Sequence, residues 1–167
     1  MSIESSNEKF SKILVGIDGS EPSMNAADYA VLLAQQYNAD LIALHVLPEP
    51  IRYEYEDRID SDVPYYASTT STTAASPRRI VELPRQDIEE NSFSKIKEKC
   101  KQKGVSLNTE IISGMPVAAQ VVDYAESNDI DLIVVGTRGR SGFKKLLLGS
   151  VASGVVTYAH CAVLVVK

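Results

Sequence analysis

Five short apolar runs, separated by stretches whose apolar residues recur at helical spacing, constrain this chain more than any other feature. Residues 12–17 (KILVGI), 40–47 (DLIALHVL), 105–111 (VSLNTEI), 131–135 (DLIVV) and 162–166 (AVLVV) read as strands. Three of them, the first, second and fourth, are almost uninterrupted, as strands buried on both faces are. The third alternates Val105, Leu107, Thr109 and Ile111 with polar residues, which suits a sheet edge.

The intervening segments carry helix punctuation. Ser20 can cap a first helix, with Pro22 in its first turn and Ala26, Ala27, Ala30, Val31, Leu33, Ala34 and Tyr37 forming a stripe to about Asn38. A second helix is expected over residues 86–103, with Ile88, Phe93, Ile96 and Cys100 inward and Gly104 as its stop. Pro116 opens a third, carried by Val117, Ala118, Val121, Val122 and Ala125, and a short fourth runs over residues 150–159. Right-handed β-α-β crossovers then give an α/β fold: a single doubly wound domain over residues 1–167, with a five-stranded, mainly parallel sheet and helices on both faces. The strand order 3-2-1-4-5 buries the three apolar runs and leaves the alternating strand outermost.

One stretch breaks the rhythm. Residues 49–85 form a long insertion whose centre, STTSTTAAS, is too polar to bury itself, flanked by Tyr53, Tyr55, Tyr65 and Tyr66. Loops of this length are commonly functional or disordered. The insertion is expected to be partly disordered, as either a mobile loop or a flap that orders on binding, and residues 1–10 are expected to form a flexible tail.

Composition excludes several classes. The 167 residues are 44% hydrophobic with a formal net charge of -5, which argues against nucleic-acid binding by bulk charge. No run approaches the roughly 18 apolar residues of a membrane span, and the N-terminus lacks the apolar stretch of a secretory signal. A cytoplasmic protein, with no membrane or nucleic-acid partner, is expected. Two cysteines, Cys100 and Cys161, read as reduced thiols and small hydrophobes. His45 lies in a buried run and reads as a core histidine. His160 has no evident partner, and Lys144 and Lys145 read as surface charges.

In an open sheet of this order, ligands bind outside the carboxyl ends of the strands where the order reverses, between strands one and four. Two segments face that crevice: Asp18-Gly19-Ser20, and the loop GTRGRSGFKKLLLGS over residues 136–150. Gly136, Gly139, Gly142 and Gly149 remove side chains from the loop, so that backbone N–H groups can approach an anion. Ser150 begins a helix whose N-terminus favours phosphate. Arg138, Arg140, Lys144 and Lys145 add four basic residues with no acidic one. The loop is neither a P-loop nor a dinucleotide fingerprint, because GxxxxGK[ST] and GxGxxG are both absent.

The spacing Gly136-x2-Gly139-x9-Gly149-Ser150, together with KILVGIDGSEPS, LHV, DLIVVGTRGRSG and LLLGSVASGVV before AVLVVK, resembles the universal stress protein family in its ATP-binding branch. The resemblance spans nearly the whole chain apart from the tail and the insertion. It implies that Asp18 lies near the nucleotide and its Mg²⁺ or Mn²⁺, that Gly16 and Ile17 line the base pocket, and that the backbone of Val46 recognises the adenine edge. Gly136, Gly139, Arg140, Gly149, Ser150 and Val151 match the ribose and phosphate cradle. Thr137, Arg138, Ser141, Gly142 and Ala152 complete the candidate set. The cofactor implied is ATP, or AMP or ADP, and the function a nucleotide-dependent stress-response role as a homodimer paired through Ala162–Val166, acting on an unidentified protein partner. Asp18 also admits the plain reading of a turn acid.

No catalytic set is legible: no G-x-S-x-G elbow, no His or Cys pair at metal spacing, no general base beside the loop. Slow Mg-dependent ATP hydrolysis or phosphotransfer using the same loop is the alternative to a non-enzymatic binding role, and at most weak turnover is expected. A receiver-like module would need an acidic acceptor after the third strand, where Ile111-Ile112-Ser113-Gly114 stands. A flavodoxin-like one would need a phosphate loop after the first, where Asp18 and Glu21 stand.

Overall fold

The computed structural model describes residues 10–48, 88–137 and 148–167. The expected tail up to residue 9, the insertion over residues 49–85, and Arg138, Gly139, Arg140, Ser141, Gly142, Lys144 and Lys145 lie outside the described residues. Five parallel strands, β1 (Lys12–Gly16), β2 (Asp40–Leu47), β3 (Leu107–Ser113), β4 (Leu132–Gly136) and β5 (Ala162–Val166), form one sheet in the order β3-β2-β1-β4-β5. Register runs Ile13↔Leu41 and Ile13↔Leu132 across the centre and Ile133↔Val163 toward the β5 edge. The order is the one that the apolar runs imply.

Helix α1 (Glu21–Tyr37) starts where Ser20 Oγ accepts the Ser23 N–H, and it ends at Asn38 in the left-handed conformation. Its buried stripe of Ala26, Ala27, Ala30, Val31 and Ala34 is small, which lets the helix lie close on the sheet. Helices α2 (Ser94–Lys103), α3 (Val117–Ser127) and α4 (Ser150–Tyr158) follow. Strand pleating sends alternate residues to opposite faces. Ile13, Val15, Leu132 and Val134 pack with α1 and α2 (Val31, Ile96), while Leu14, Ile133 and Val135 pack with α3 and α4 (Val121, Val155). Each fully buried Ile, Leu or Val contributes roughly 1.5–3 kcal/mol.

Strand ends shift by one or two residues from the sequence expectation, and two differences have a clear local cause. β3 begins at Leu107 because the Val105 N–H is committed to the Cys100 carbonyl, closing α2 over the left-handed Gly104. The helix expected over residues 86–103 is not uniform: Glu89–Phe93 is a π-helical turn, in which the Ser94 N–H reaches back to the Glu89 carbonyl. The Ser94 hydroxyl donates to the Glu90 carbonyl. The wider turn brings consecutive residues Ser92 and Phe93 both into the interior.

At the amino-terminal edge of the sheet, Asp131 Oδ2 accepts from the Ser11 N–H (2.8 Å), the Ser11 hydroxyl (2.7 Å) and the Lys12 N–H (2.9 Å), fastening the start of β1 beside β4. Among the described residues no helix is long and apolar enough to cross a membrane.

Candidate functional site

Chain direction across the sheet creates the site. From β1 the chain steps through β2 to β3 with α1 and α2 on one face, then returns to β4 and β5 with α3 and α4 on the other. The connections leaving β1 and β4 diverge, and a crevice remains at the carboxyl ends of those two strands. A cavity of about 410 Å³ lies there, within the usual range for a small-molecule site.

Ten of the residues singled out from the sequence line it: Gly16, Ile17, Asp18, Val46, Gly136, Thr137, Gly149, Ser150, Val151 and Ala152. Sequence reasoning missed Ser23, Leu44, Pro48, Val117, Val121 and Val135, which also line it. Val117 and Val121 are spaced i, i+4 on α3 and look like ordinary core stripe. The signal that could have found them is the predicted topology, which places the start of that helix above the same crevice.

The lining is divided. On the β2 side, Leu44, Val46, Pro48, Val117 and Val121 offer an apolar wall with no side-chain donor or acceptor. On the β4 side, Thr137, Gly149 and Ser150 bring polar groups and the start of α4. Gly149 caps α4 and has no side chain of its own, and among the described residues no side chain caps the first N–H groups, an arrangement suited to an anion. α1 differs: its Ser23 N–H is taken by Ser20 Oγ at 3.3 Å. The cradle is held at its base, where the Thr137 N–H donates to the Val166 carbonyl and the Gly149 N–H donates to the Thr137 carbonyl, both at 2.7 Å.

Asp18 stands between the two walls, at the end of β1. Its Oδ1 accepts from the Ser20 N–H at 2.9 Å and from the Ser20 hydroxyl, and its own N–H donates to Ser23 Oγ at 3.4 Å. Gly19 bridges this turn at φ +79°, a conformation that other residues rarely adopt. The carboxylate is therefore a turn acid and a cavity wall at once. Ser92 of the π-helical turn backs the same loop: its Oγ lies 3.3 Å from where a Cβ on Gly19 would be.

His45 is buried, and its Nδ1 lies 2.6 Å from the Ile17 carbonyl. A carbonyl only accepts, so Nδ1 carries the proton in this contact. Both cysteines are poor thiolates, since burial pushes the Cys100 and Cys161 thiols up. A smaller cavity of about 200 Å³ at the opposite edge has an apolar floor rimmed by Glu126, Asp129 and His160. Among the described residues no three His, Cys, Asp or Glu gather as metal ligands.

Comparison with known proteins agrees with this architecture. The model of the universal stress protein family matches residues 9–167. Universal stress protein MJ0531 of Methanocaldococcus jannaschii is 34% identical over 165 residues, covering 99% of this chain and 86% of the relative. The structure of universal stress protein UspA from Lactobacillus plantarum superimposes with a TM-score of 0.66 at 27% identity, over 96% of this chain and 100% of that one. A universal stress protein from Archaeoglobus fulgidus, solved in complex with dAMP, has a TM-score of 0.60 at 20% identity, over 95% and 99% of the two chains.

Proposed function

The chain belongs to the universal stress protein family, and from that premise we propose that it binds an adenine nucleotide, ATP foremost, and works as a nucleotide-dependent regulatory dimer. The observation that carries the reading is the divided lining of the cavity. An apolar wall beside β2 accepts a flat base, and the start of α4 beside β4, with no side-chain cap among the described residues, accepts phosphate. The order of the strands sets the order of the ligand: base over β2, ribose over β1, phosphates over β4. The Archaeoglobus fulgidus protein in complex with dAMP shares this fold; the assignment for this chain rests on the lining of its own cavity.

Within this arrangement the base is read by main-chain groups, because the described residues of its wall, Leu44, Val46, Pro48, Val117 and Val121, carry no polar side chain. Phosphate oxygens meet the N–H groups of Ser150, Val151 and Ala152 and the Ser150 hydroxyl, with Arg138 and Arg140 supplying charge from the adjoining loop. A carboxylate beside polyphosphate is repulsive unless a cation or a ribose hydroxyl stands between them. Asp18, held by Ser20, fits a magnesium ion bound through one carboxylate and the nucleotide's own oxygens, since that ion does not need a protein cage. When bound, the ion would neutralise phosphate charge. β5 is an edge strand whose outer side can pair with a second copy, and Val156 and Tyr158 are exposed on α4.

Mass spectrometry of small molecules released from denatured, freshly purified protein tests the ligand class, with an adenine nucleotide expected and none, or a non-nucleotide, counting against it. Neutralising Arg138 and Arg140 together should weaken ATP more than adenosine. Light scattering should return twice the 18.2 kDa chain mass.

A further inference from the structure

We propose that His45 is a positioning residue that ends the β1–β2 ladder one rung early and so frees the main chain of Val46 to read the base, an inference that rests on the cavity being an adenine site. In a parallel strand, successive residues turn their N–H and C=O groups alternately to the two neighbours. In β2, the Leu41 N–H donates to the Ser106 carbonyl and the Leu47 carbonyl accepts from the Gly114 N–H, both at 2.9 Å, so these residues face β3. Leu44 faces the other way and accepts from the Ile17 N–H at 2.8 Å. Val46, two residues on, therefore turns both groups toward β1, where the next rung would join its N–H to the Ile17 carbonyl.

That rung is not made. The Ile17 carbonyl accepts instead from His45 Nδ1 at 2.6 Å, and among the described residues no backbone group closes the Val46 rung on that side. The imidazole, rooted in β2 itself, draws the end of β1 away from Val46 at the point where the chain turns into Asp18. A donor and an acceptor side by side on Val46 then face the cavity, a pattern complementary to a base edge that offers one acceptor and one donor, as adenine does at N1 and N6. A hydrophobic residue at position 45 would leave the Ile17 carbonyl seeking a partner, and the Val46 N–H is the donor that continuing the parallel register would bring to it.

The test is amide hydrogen exchange by NMR on the full chain, with titrations of adenosine and inorganic triphosphate, for the wild type, His45→Leu and His45→Asn. In the free wild type the Val46 amide should exchange at least about tenfold faster than the Leu44 amide, and adenosine should slow it. In His45→Leu the Val46 amide should be slow without ligand, adenosine should bind about tenfold more weakly, and triphosphate should bind as before. His45→Asn, whose amide can donate to the same carbonyl, should restore the wild-type pattern. Val46 protection equal to that of Leu44 in the free wild type, or unchanged adenosine binding in His45→Leu, would overturn the proposal. Should His45→Leu not fold, the wild-type exchange rates and His45→Asn still decide it. A wild type that binds no adenosine overturns the adenine site itself, and that failure is distinct because it precedes any substitution.

Discussion

A Cβ atom on Gly136 would lie 2.7 Å from both the carbonyl carbon and the carbonyl oxygen of Pro22. The end of β4 and the first turn of α1 are thus in backbone contact, and only glycine permits it. Gly136→Ala should lower stability by about 1–3 kcal/mol, because neither backbone can yield as a side chain would. Gly16→Ala, whose Cβ would meet Val135 Cγ1 at an ordinary 3.6 Å, should change stability by less than about 0.5 kcal/mol. Paired denaturant titrations check the contrast, and equal effects would refute it.

Ser20 performs two tasks, accepting the Ser23 N–H as helix cap and donating to Asp18. Ser20→Ala should cost about 1 kcal/mol of stability and also loosen the carboxylate. The second effect should appear as a smaller Mg²⁺-dependent gain in ATP affinity, read by calorimetry with the metal present and then chelated.

Asp18→Asn should act in opposite directions with and without divalent metal. Removing the negative charge relieves repulsion of metal-free ATP, so affinity in chelator should rise about fivefold. With Mg²⁺ present the lost ligand charge should reduce affinity by a similar factor. A loss of equal size in both conditions would mean that Asp18 serves only the turn.

Burial raises the Asp131 pKa, but the Ser11 hydroxyl, the Lys12 and Ser11 N–H groups and the Lys12 charge outweigh it, and the carboxyl rests below its ordinary value. Its contribution is therefore complete above the unfolded value, about pH 4, and is lost as pH falls through the lower folded value. Asp131→Ala should cost about 2 kcal/mol at pH 7, and its stability should fall less steeply than the wild type's below pH 4. Denaturation curves between pH 2 and 7 would show both effects.

The fold was legible because the chemistry of its strands is local. Leu14, Ile133 and their neighbours are apolar in succession since both faces of β1 and β4 are covered, whereas Asn108 and Glu110 mark β3 as outer. The π-helical turn was not legible, because one extra residue in a helix has no composition of its own and Ser92 looks like a surface serine. The polar half of the cavity could be read from Asp18 and the glycines. Its apolar half could not, since Val117 and Val121 are chemically identical to core residues and only the path of the chain sets them over the crevice. Gly136 illustrates a third case: its bareness suggests approach by an anion, while the structure gives it a packing partner in Pro22.

The central claim is that one ligand spans both walls, and amide chemical-shift mapping with ATP, adenosine and inorganic triphosphate tests it most directly. ATP should move the amides of Val46 and of Ser150–Ala152 together, adenosine should move the Val46 set alone, and triphosphate the α4 set alone. Shifts confined to the smaller cavity around Glu126 and His160, or an adenosine response at Ser150 equal to that at Val46, would contradict the account.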